Sequence, residues 1–364
     1  MTNTDPALQI LIDRVKSAQA AGVPLCLRGG GTKDFYGEAP QGEPLDTRVL
    51  EGISSYEPTE LVVTVRCGTP LETLEATLAE KGQCLPFEPP RFAPGGTVGG
   101  MVAAGLAGPA RAAVGSVRDY VLGATLLNGR AEVLSFGGQV MKNVAGYDVS
   151  RLLAGSMGTL GVILEVSLKV LPAAPATATL RFSMDEAQAI AQLNDWGGQP
   201  LPINASAWWD GTLLVRLRGA HAAVQAALAQ LGGELIEPSF ALPFWDGLRD
   251  QRDEFFVKAA AAVDGGASLW RMSVPQVAPP LALPGPTLIE WGGAQRWLCS
   301  ALPAAAVREA AARAGGHATL YRSRDKSAGA FAPLKAPLDR IHRDLKQSFD
   351  PSGLFNPGRL YPGL

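Results

Sequence analysis

Histidine is scarce in this chain, and its cysteines are not paired along the sequence. The histidines are His221, His317 and His342, and no two of them stand at metal-ligand spacing. The cysteines are Cys26, Cys67, Cys84 and Cys299, and none forms a C-x-x-C pair. We therefore expect no iron–sulfur cluster, no resident metal and no disulfide framework. The histidines are expected at a helix start, in a loop and on a solvated helix face.

Charge is sparse and nearly balanced. Charged residues make up 18% of the chain, with a net charge of −2 and a pI of about 6.0. A nucleic-acid partner would require a basic stripe, which this composition does not offer. The N-terminus lacks a basic segment followed by an apolar one, and no run of about 18 apolar residues occurs. We expect a cytoplasmic protein without a transmembrane segment; attachment to the inner face of the membrane through partners stays open.

Glycine, in contrast, is abundant and unevenly placed. Of the 42 glycines, 24 lie in the first 170 residues, many of them in three clusters. The clusters are Arg28-Gly29-Gly30-Gly31-Thr32, Pro94-Gly95-Gly96-Thr97-Val98-Gly99-Gly100 and Gly155-Ser156-Met157-Gly158-Thr159-Leu160-Gly161. Glycine leaves no Cβ between its N–H group and a ligand, and it reaches positive φ without strain. Repeated clusters favour a chain wrapped around a large anionic cofactor with a flat ring.

Two common nucleotide-binding motifs do not fit these clusters. A phosphate-binding loop requires G-x-x-x-x-G-K-[ST], and the Gly-Thr-Lys at 31–33 does not match it. A dinucleotide fingerprint requires G-x-G-x-x-G opening a long helix, whereas residues 32–37 are too few and too polar for that helix. Both of the usual nucleotide-binding folds are therefore poor matches to this sequence.

The first 175 residues carry alternating helix and strand signals. Hydrophobic periodicity predicts a helix over 8–21 and strands over 23–27, 61–65 and 162–171. Thr69, Pro70 and Glu72 predict a capped helix start, and Gly82 predicts its end. Asn128-Gly129 predicts a tight hairpin between strands over 120–127 and 131–136.

The composition changes after Pro172 and Pro175, since all seven tryptophans lie at position 196 or later. This part predicts helices over 186–193, 221–231 and 304–314, strands over 268–274 and 318–322, and hairpins through 210–211 and 292–293. Such an order indicates an antiparallel sheet backed by helices, an α+β unit. We expect domains at 1–174 and 175–335, and a tail over 336–364 that starts with a helix over 338–347 and returns to the first domain.

The order of these motifs resembles the FAD-binding domain of the p-cresol methylhydroxylase/vanillyl-alcohol oxidase type. The resemblance rests on the three glycine clusters, on Gly-Ser-x-x-Asp-Tyr-Val-Leu-Gly at 115–123, and on Phe-Asp-Pro-Ser-Gly-Leu-Phe-Asn-Pro-Gly at 349–358. It covers residues 1–175 and 335–360. Within this family, residues 142–148 and 291–297 are similar to the E subunits of bacterial glycolate oxidases. The resemblance implies a two-subdomain FAD-binding domain of this type and an α+β antiparallel-sheet cap.

The resemblance also implies which residues hold FAD. The first cluster would bind the diphosphate, the second the diphosphate, ribityl and flavin, the third the adenosine half and flavin edge, and the tail would approach the isoalloxazine. The implied residues are Arg28, Gly29, Gly30, Gly31, Thr32, Lys33, Pro94, Gly95, Gly96, Thr97, Gly99, Gly100, Gly115, Asn143, Tyr147, Asp148, Gly155, Gly158, Thr159, Gly161, Val162, Ile163 and Asn356. Because no histidine precedes His221 and positions 32 and 33 are Thr and Lys, we expect non-covalent FAD.

The implied function is that of an FAD-binding subunit of a multisubunit glycolate oxidase. The resemblance implies two partners, a larger flavoprotein subunit and an iron–sulfur subunit that takes the electrons. Oxidation of a 2-hydroxy acid requires a base and a cation for the carboxylate. The sequence identifies no base, and Arg296 is one candidate cation. Two alternatives stay open: a self-sufficient FAD-dependent 2-hydroxy-acid dehydrogenase, and a non-catalytic scaffold subunit of the same complex.

Overall fold

A computed structural model of the protein describes residues 5–138 and 148–364. The helices are α1 (Pro6–Ala21), α2 (Leu71–Ala79), α3 (Val98–Ala104), α4 (Arg111–Val114), α5 (Val117–Tyr120), α6 (Glu186–Gly197), α7 (His221–Leu231), α8 (Pro238–Asp250), α9 (Glu254–Asp264), α10 (Ala304–Arg313) and α11 (Leu338–Phe349). The strands are β1 (Leu25–Arg28), β2 (Glu43–Asp46), β3 (Ile53–Glu57), β4 (Val62–Arg66), β5 (Gln83–Cys84), β6 (Val121–Leu127), β7 (Val133–Gly137), β8 (Val162–Lys169), β9 (Leu171–Pro172), β10 (Ala176–Ser183), β11 (Ile203–Trp209), β12 (Thr212–Gly219), β13 (Glu234–Ile236), β14 (Ser268–Ser273), β15 (Thr287–Glu290), β16 (Gln295–Ser300) and β17 (His317–Arg322).

Within residues 5–138 and 148–172, the chain forms two small sheets and one larger sheet. Strands β1 and β2 pair in parallel, and β5 pairs with β9. The larger, antiparallel sheet has the order β3-β4-β8-β6-β7. Helix α2 buries Leu71, Leu74 and Leu78 in the core that this sheet shares with α3. The expected apolar faces of these elements are thus the ones that pack.

Two local predictions are wrong in detail. Helix α2 begins at Leu71 with Pro70 at the N-cap, and no side chain caps it. The Thr69 hydroxyl instead accepts a hydrogen bond from Gly52 N at 2.9 Å, so it is used by a neighbouring turn. The hairpin after β6 is not a two-residue turn. The Asn128 carboxamide oxygen accepts from the backbone of Arg130 and Glu132, which stabilises a five-residue loop.

The second half forms an eight-stranded sheet in the order β13-β10-β12-β11-β15-β16-β14-β17. Every pairing in this sheet is antiparallel, which confirms the expected α+β arrangement. The hairpins through 210–211 and 292–293 are confirmed as well. Helices α8 and α9 were not predicted. One face of the sheet packs against these helices and against Tyr36, Leu106 and Met157 of the first half.

The end of the chain returns to the first half. Helix α11 packs Leu345 and Phe349 against the core of the five-stranded sheet. Phe355 then lies beside Leu25 in a parallel bridge, and its side chain is fully buried with α1 and β1. Residues that follow Phe355 therefore sit next to the end of β1. Across residues 5–138 and 148–364, no helix has the length and apolar character needed to cross a membrane.

Candidate functional site

The three glycine clusters and the C-terminal tail meet at one cleft. Two adjoining cavities there share the lining residues Leu27, Arg28, Gly29, Gly100, Ala103, Met157 and Asn356. We call this place the glycine cleft. Strand β1 delivers the first cluster, α3 begins inside the second, and β8 follows the third. Three segments that are distant in sequence thus present backbone to one space, as the sequence predicted.

Most of the expected FAD-binding residues line the glycine cleft. They are Arg28, Gly29, Gly30, Gly31, Thr32, Lys33, Thr97, Gly99, Gly100, Gly158, Gly161, Val162, Ile163 and Asn356. Pro94, Gly95, Gly96, Gly155 and Thr159 belong to the same loops but do not line the cavities. Asn143 and Tyr147 lie outside the described residues. For all of them, binding of FAD stays a prediction.

Two expected residues are engaged elsewhere. A Cβ at Gly115, whose φ is +96°, would lie 3.0 Å from Asp119 Oδ2. Glycine at this position therefore leaves room for the Asp119 carboxylate, which caps the start of α5. Asp119 accepts hydrogen bonds from the backbone and hydroxyl of Ser116. Asp148 forms an ion pair with Arg151 at 2.6 Å. Both residues thus have local structural roles, and a contact of either with FAD stays a prediction.

The first and second clusters are packed directly against each other. A Cβ at Gly30 would lie 1.7 Å from the carbonyl oxygen of Gly95, and one at Gly29 would lie 2.4 Å from Thr97 Oγ1. Thr97 in turn caps α3 by accepting a hydrogen bond from Gly100 N at 3.1 Å. These glycines are therefore required first for the contact between the two loops, and that contact sets the width of the cleft.

Asn356 fixes the tail between strand β1 and the third cluster. Its Oδ1 accepts from Leu27 N at 2.7 Å, and its Nδ2 donates to Met157 O at 2.6 Å. A Cβ at Gly158 would lie 2.7 Å from this Nδ2, so only glycine leaves room for the carboxamide. The side chain that was expected to approach the flavin thus holds two walls of the cleft together.

A buried ion pair supports the tail from behind. Lys346 Nζ lies 2.6 Å from Asp350 Oδ2 and donates at 2.8 Å to the carbonyl oxygens of Thr159 and Phe355. Asp350 also accepts from the backbone N–H groups of Leu354 and Phe355. The Phe-Asp-Pro-Ser-Gly-Leu-Phe-Asn motif is therefore a folded turn, and it connects the end of α11 to the third cluster.

The cleft carries an excess of positive charge. Arg28 pairs with Asp34 at 2.7 Å. Burial lowers the pKa of Lys33 to about 8, and its Nζ lies 5.9 Å from the centre of the Phe92 ring. Arg359 is the third cation of the lining, and the sequence analysis missed it. The sequence shows only a basic residue directly after Asn-Pro-Gly. That residue can be assigned to the cleft only once the tail is known to lie against β1.

A separate set of polar side chains lies between the eight-stranded sheet and the loop over residues 106–109. Arg271 donates to the Tyr36 hydroxyl at 2.9 Å and lies 5.5 Å from the centre of the Tyr321 ring. Glu290 is buried and accepts from Gln295 and Trp297 at 2.9 and 2.6 Å. Burial raises the pKa of Glu290 to about 7, against those two hydrogen bonds. The side chains of Arg271 and Glu290 thus both lie on the side of the sheet that faces the FAD-binding half of the chain.

Arg296 is not available for a substrate. It is fully buried, and its guanidinium donates to the carbonyl oxygens of Gly293, Ala278 and Pro279. It therefore organises the loop before β15, and its expected role as a carboxylate-binding cation is wrong. Arg271 is a cation of the same sheet that forms no ion pair at contact distance within the described residues, although its charge lowers the pKa of Glu290.

The histidines lie apart, as expected. His221 begins α7. His317 is the first residue of β17, so its expected place in a loop is wrong, and His342 lies half-buried on α11, where its ring contacts Tyr361. No group of three His, Cys, Asp or Glu side chains in the described parts of the chain could hold a metal ion.

Comparison with known proteins identifies the cofactor class and the fold. Residues 9–137 match the family model of an FAD binding domain, which confirms FAD as the cofactor. In solved structures, an alkyldihydroxyacetonephosphate synthase has the same fold, with a TM-score of 0.68 and 16% identity, over 96% of this chain and 75% of that one. This likeness and the family match confirm an FAD-binding domain joined to an antiparallel α+β unit.

Two curated relatives are closer in sequence. Glycolate oxidase subunit GlcD of Bacillus subtilis is 31% identical over 172 residues, which are 47% of this chain and 36% of that protein. Glycolate oxidase subunit GlcE of Escherichia coli is 48% identical over 356 residues, which are 98% of both chains. The second similarity includes the cap and the tail as well as the glycine clusters. The chain described here belongs to the family of the glycolate oxidase subunit GlcE.

Proposed function

We propose that this chain is the FAD-binding subunit of a multisubunit glycolate oxidase that oxidises glycolate to glyoxylate. The observation that carries the proposal is the glycine cleft, built from three loops and a tail in a chain that is 48% identical to an E. coli glycolate oxidase subunit. Its partners would be a larger flavoprotein subunit and an iron–sulfur subunit. The proposed division is a FAD-binding domain over 1–174, a cap over 175–335 and a tail over 336–364.

The cleft suits FAD on physical grounds. A diphosphate requires several converging N–H donors and positive charge, and both are present at the first cluster. When bound, FAD would be the acceptor of the two electrons that a 2-hydroxy acid loses on oxidation. The lining residues of the expected set bind the cofactor without a covalent bond. Hot acid or SDS should therefore release all of the yellow colour from the purified chain.

Arg271 is the candidate group for the substrate. Within the described residues it forms no ion pair at contact distance, although its charge lowers the pKa of Glu290. Its guanidinium is oriented by Tyr36 and Tyr321. A guanidinium held in this way can bind a carboxylate with two hydrogen bonds. Arg271 would orient glycolate, and electrons would then pass through the flavin to the iron–sulfur subunit and on to a quinone-type acceptor.

A visible spectrum of the purified chain, before and after anaerobic glycolate, tests the proposal. Bound flavin that stays oxidised until the partner subunits are added supports a role within the complex. Flavin that bleaches in the isolated chain would identify a self-sufficient dehydrogenase. If no flavin binds even when FAD is added, and the complex nevertheless assembles and oxidises glycolate, the chain is a scaffold and the proposal is wrong.

A further inference from the structure

Arg359 is a buried cation with unused hydrogen-bonding capacity. It is 6% exposed and lines the glycine cleft beside the first cluster. Its Nη2 donates to the carbonyl oxygens of Lys33 and Asp34 at 3.3 and 3.1 Å. Its Nη1 is buried and has no hydrogen-bond partner. Leaving a buried guanidinium nitrogen unpaired is costly, so the arrangement indicates that an acceptor completes it.

We propose that Arg359 binds the diphosphate of FAD through Nη1, and that Lys33 supplies the second free positive charge. The inference rests on the proposed function, since it assigns a ligand group to two residues of the same cleft. Arg359 is not one of the residues that the sequence pattern assigned to the cofactor.

The charge of the cleft matches this ligand. Its lining contains three cations, Arg28, Lys33 and Arg359, and one carboxylate, Asp34. Arg28 is paired with Asp34, and in the described parts of the chain neither Lys33 nor Arg359 forms an ion pair at contact distance. The charges of Asp34 and Glu38 act on Arg359 only from a greater distance. A nucleotide diphosphate carries about two negative charges near neutral pH. The ligand would thus neutralise the cleft, whereas an uncharged flavin would leave the buried Arg359 and the half-buried Lys33 without a bound anion.

The position of Arg359 is also well fixed. Its backbone N–H donates to Asn356 O at 3.2 Å, and its carbonyl oxygen accepts from Glu38 N at 3.1 Å. The guanidinium is therefore held between the tail and the turn that follows the first cluster. A side chain held in this way loses little further conformational freedom when a ligand binds, which favours a strong contact.

Binding of FAD and of riboflavin to Arg359→Met, in the full chain freed of flavin, tests the inference. Riboflavin lacks the diphosphate, so it separates loss of the phosphate contact from deformation of the loop. We expect FAD to bind about tenfold to a hundredfold more weakly, the usual size of a lost charge-assisted hydrogen bond. Riboflavin affinity should change less than about twofold, and the salt dependence of FAD binding should become shallower because one cation is lost.

Arg308→Met is the matched control. Arg308 also donates to backbone carbonyl oxygens, those of Ala328, Gly329 and Phe331, but it does not line the cleft. Its loss should leave both affinities unchanged. Equal losses of FAD and riboflavin in Arg359→Met, or an unchanged FAD affinity, would overturn the inference while the proposed function stands. A wild-type chain that binds no FAD would overturn both.

Discussion

Lys346 and Asp350 form a buried ion pair, 2.6 Å apart, at the end of the last helix of the protein. Both residues are buried, with Lys346 8% exposed and Asp350 1% exposed. They are four positions apart in the sequence, so they lie one helical turn apart, and together they hold Thr159 of the third glycine cluster and Phe355 of the tail. The pair therefore couples folding of the tail to the shape of the glycine cleft.

Lys346→Met is expected to lower the free energy of unfolding by about 3–5 kcal/mol, because it leaves the Asp350 carboxylate buried without its cation. Urea unfolding monitored by tryptophan fluorescence measures the change. Arg343→Met is the control, since Arg343 pairs with Asp339 at the same spacing and a distance of 2.6 Å on the exposed side of the helix. That variant should change stability by less than about 1 kcal/mol. Equal effects of the two variants would contradict the coupling.

Gly30→Ala is expected to abolish tight FAD binding while the chain stays folded. A methyl group there would lie 1.7 Å from Gly95 O, so the first two clusters must move apart. We expect FAD affinity to fall by more than about tenfold, as usual for misplaced binding groups, in a fluorescence titration. Gly197→Ala at the end of α6 is the control, since a methyl group there meets nothing within 4 Å. Unchanged FAD binding in Gly30→Ala would show that the contact between the two loops does not set the width of the cleft.

Much of the fold could be predicted because local signals and tertiary structure agree. The helix over 221–231 has the predicted bounds, and the Asp210-Gly211 hairpin forms. Helix α8 was missed because it has Pro243 and Gly247 inside it, and both residues count against a helix in isolation. Its amphipathic face, which buries Trp245 and Leu248, outweighs that cost.

Of the site, only the backbone loops could be predicted from the sequence. The glycine clusters indicated where these loops lie, because glycine is needed wherever the chain approaches itself or a ligand. The cations Arg271 and Arg359 could not be identified from local sequence, since their contacts with Tyr36 and Lys33 lie 235 and 326 residues away. The sequence indicated Arg296 as a candidate cation, and the structure shows it bound to carbonyl oxygens.

Binding of FAD is expected to weaken as the pH rises above about 8. Burial lowers the pKa of Lys33 to about 8 in the free cleft, so its positive charge is lost above that value. A bound diphosphate favours the charged form and raises this pKa, so affinity should be constant at lower pH and fall by up to about tenfold per pH unit above it. Titrations of FAD between pH 6 and 9.5 measure the profile.

Lys33→Arg isolates the contribution of Lys33 to that profile. Arginine keeps its charge throughout this range, so the variant should bind FAD with a flatter pH dependence. The comparison is needed because burial also lowers the pKa of Lys326 to about 8, and Lys326 donates to the carbonyl oxygen of Gly37 near the same loop. Identical profiles for the wild-type protein and the variant would assign the pH dependence to Lys326 or to another group.

Protein stability is expected to fall as the pH rises from about 4.5 to about 7, through the titration of Glu290. Burial raises the pKa of this carboxyl from its ordinary 4.5 to about 7, so in that interval the folded state binds a proton that the unfolded state has lost. The neutral form therefore stabilises the fold below the interval, and this stabilisation is gone above pH 7. Glu290→Gln is permanently neutral and can still accept from Trp297, so at pH 8 it should be more stable than the wild-type protein by about 1–3 kcal/mol. Asp253, whose pKa burial raises to about 6, changes stability in the same direction, and its charge also raises the pKa of Glu290. The difference between the two proteins therefore measures Glu290 together with its coupling to Asp253. Urea unfolding of both proteins at pH 5 and pH 8 measures that difference, and the same value at both pH values would contradict a raised pKa at Glu290.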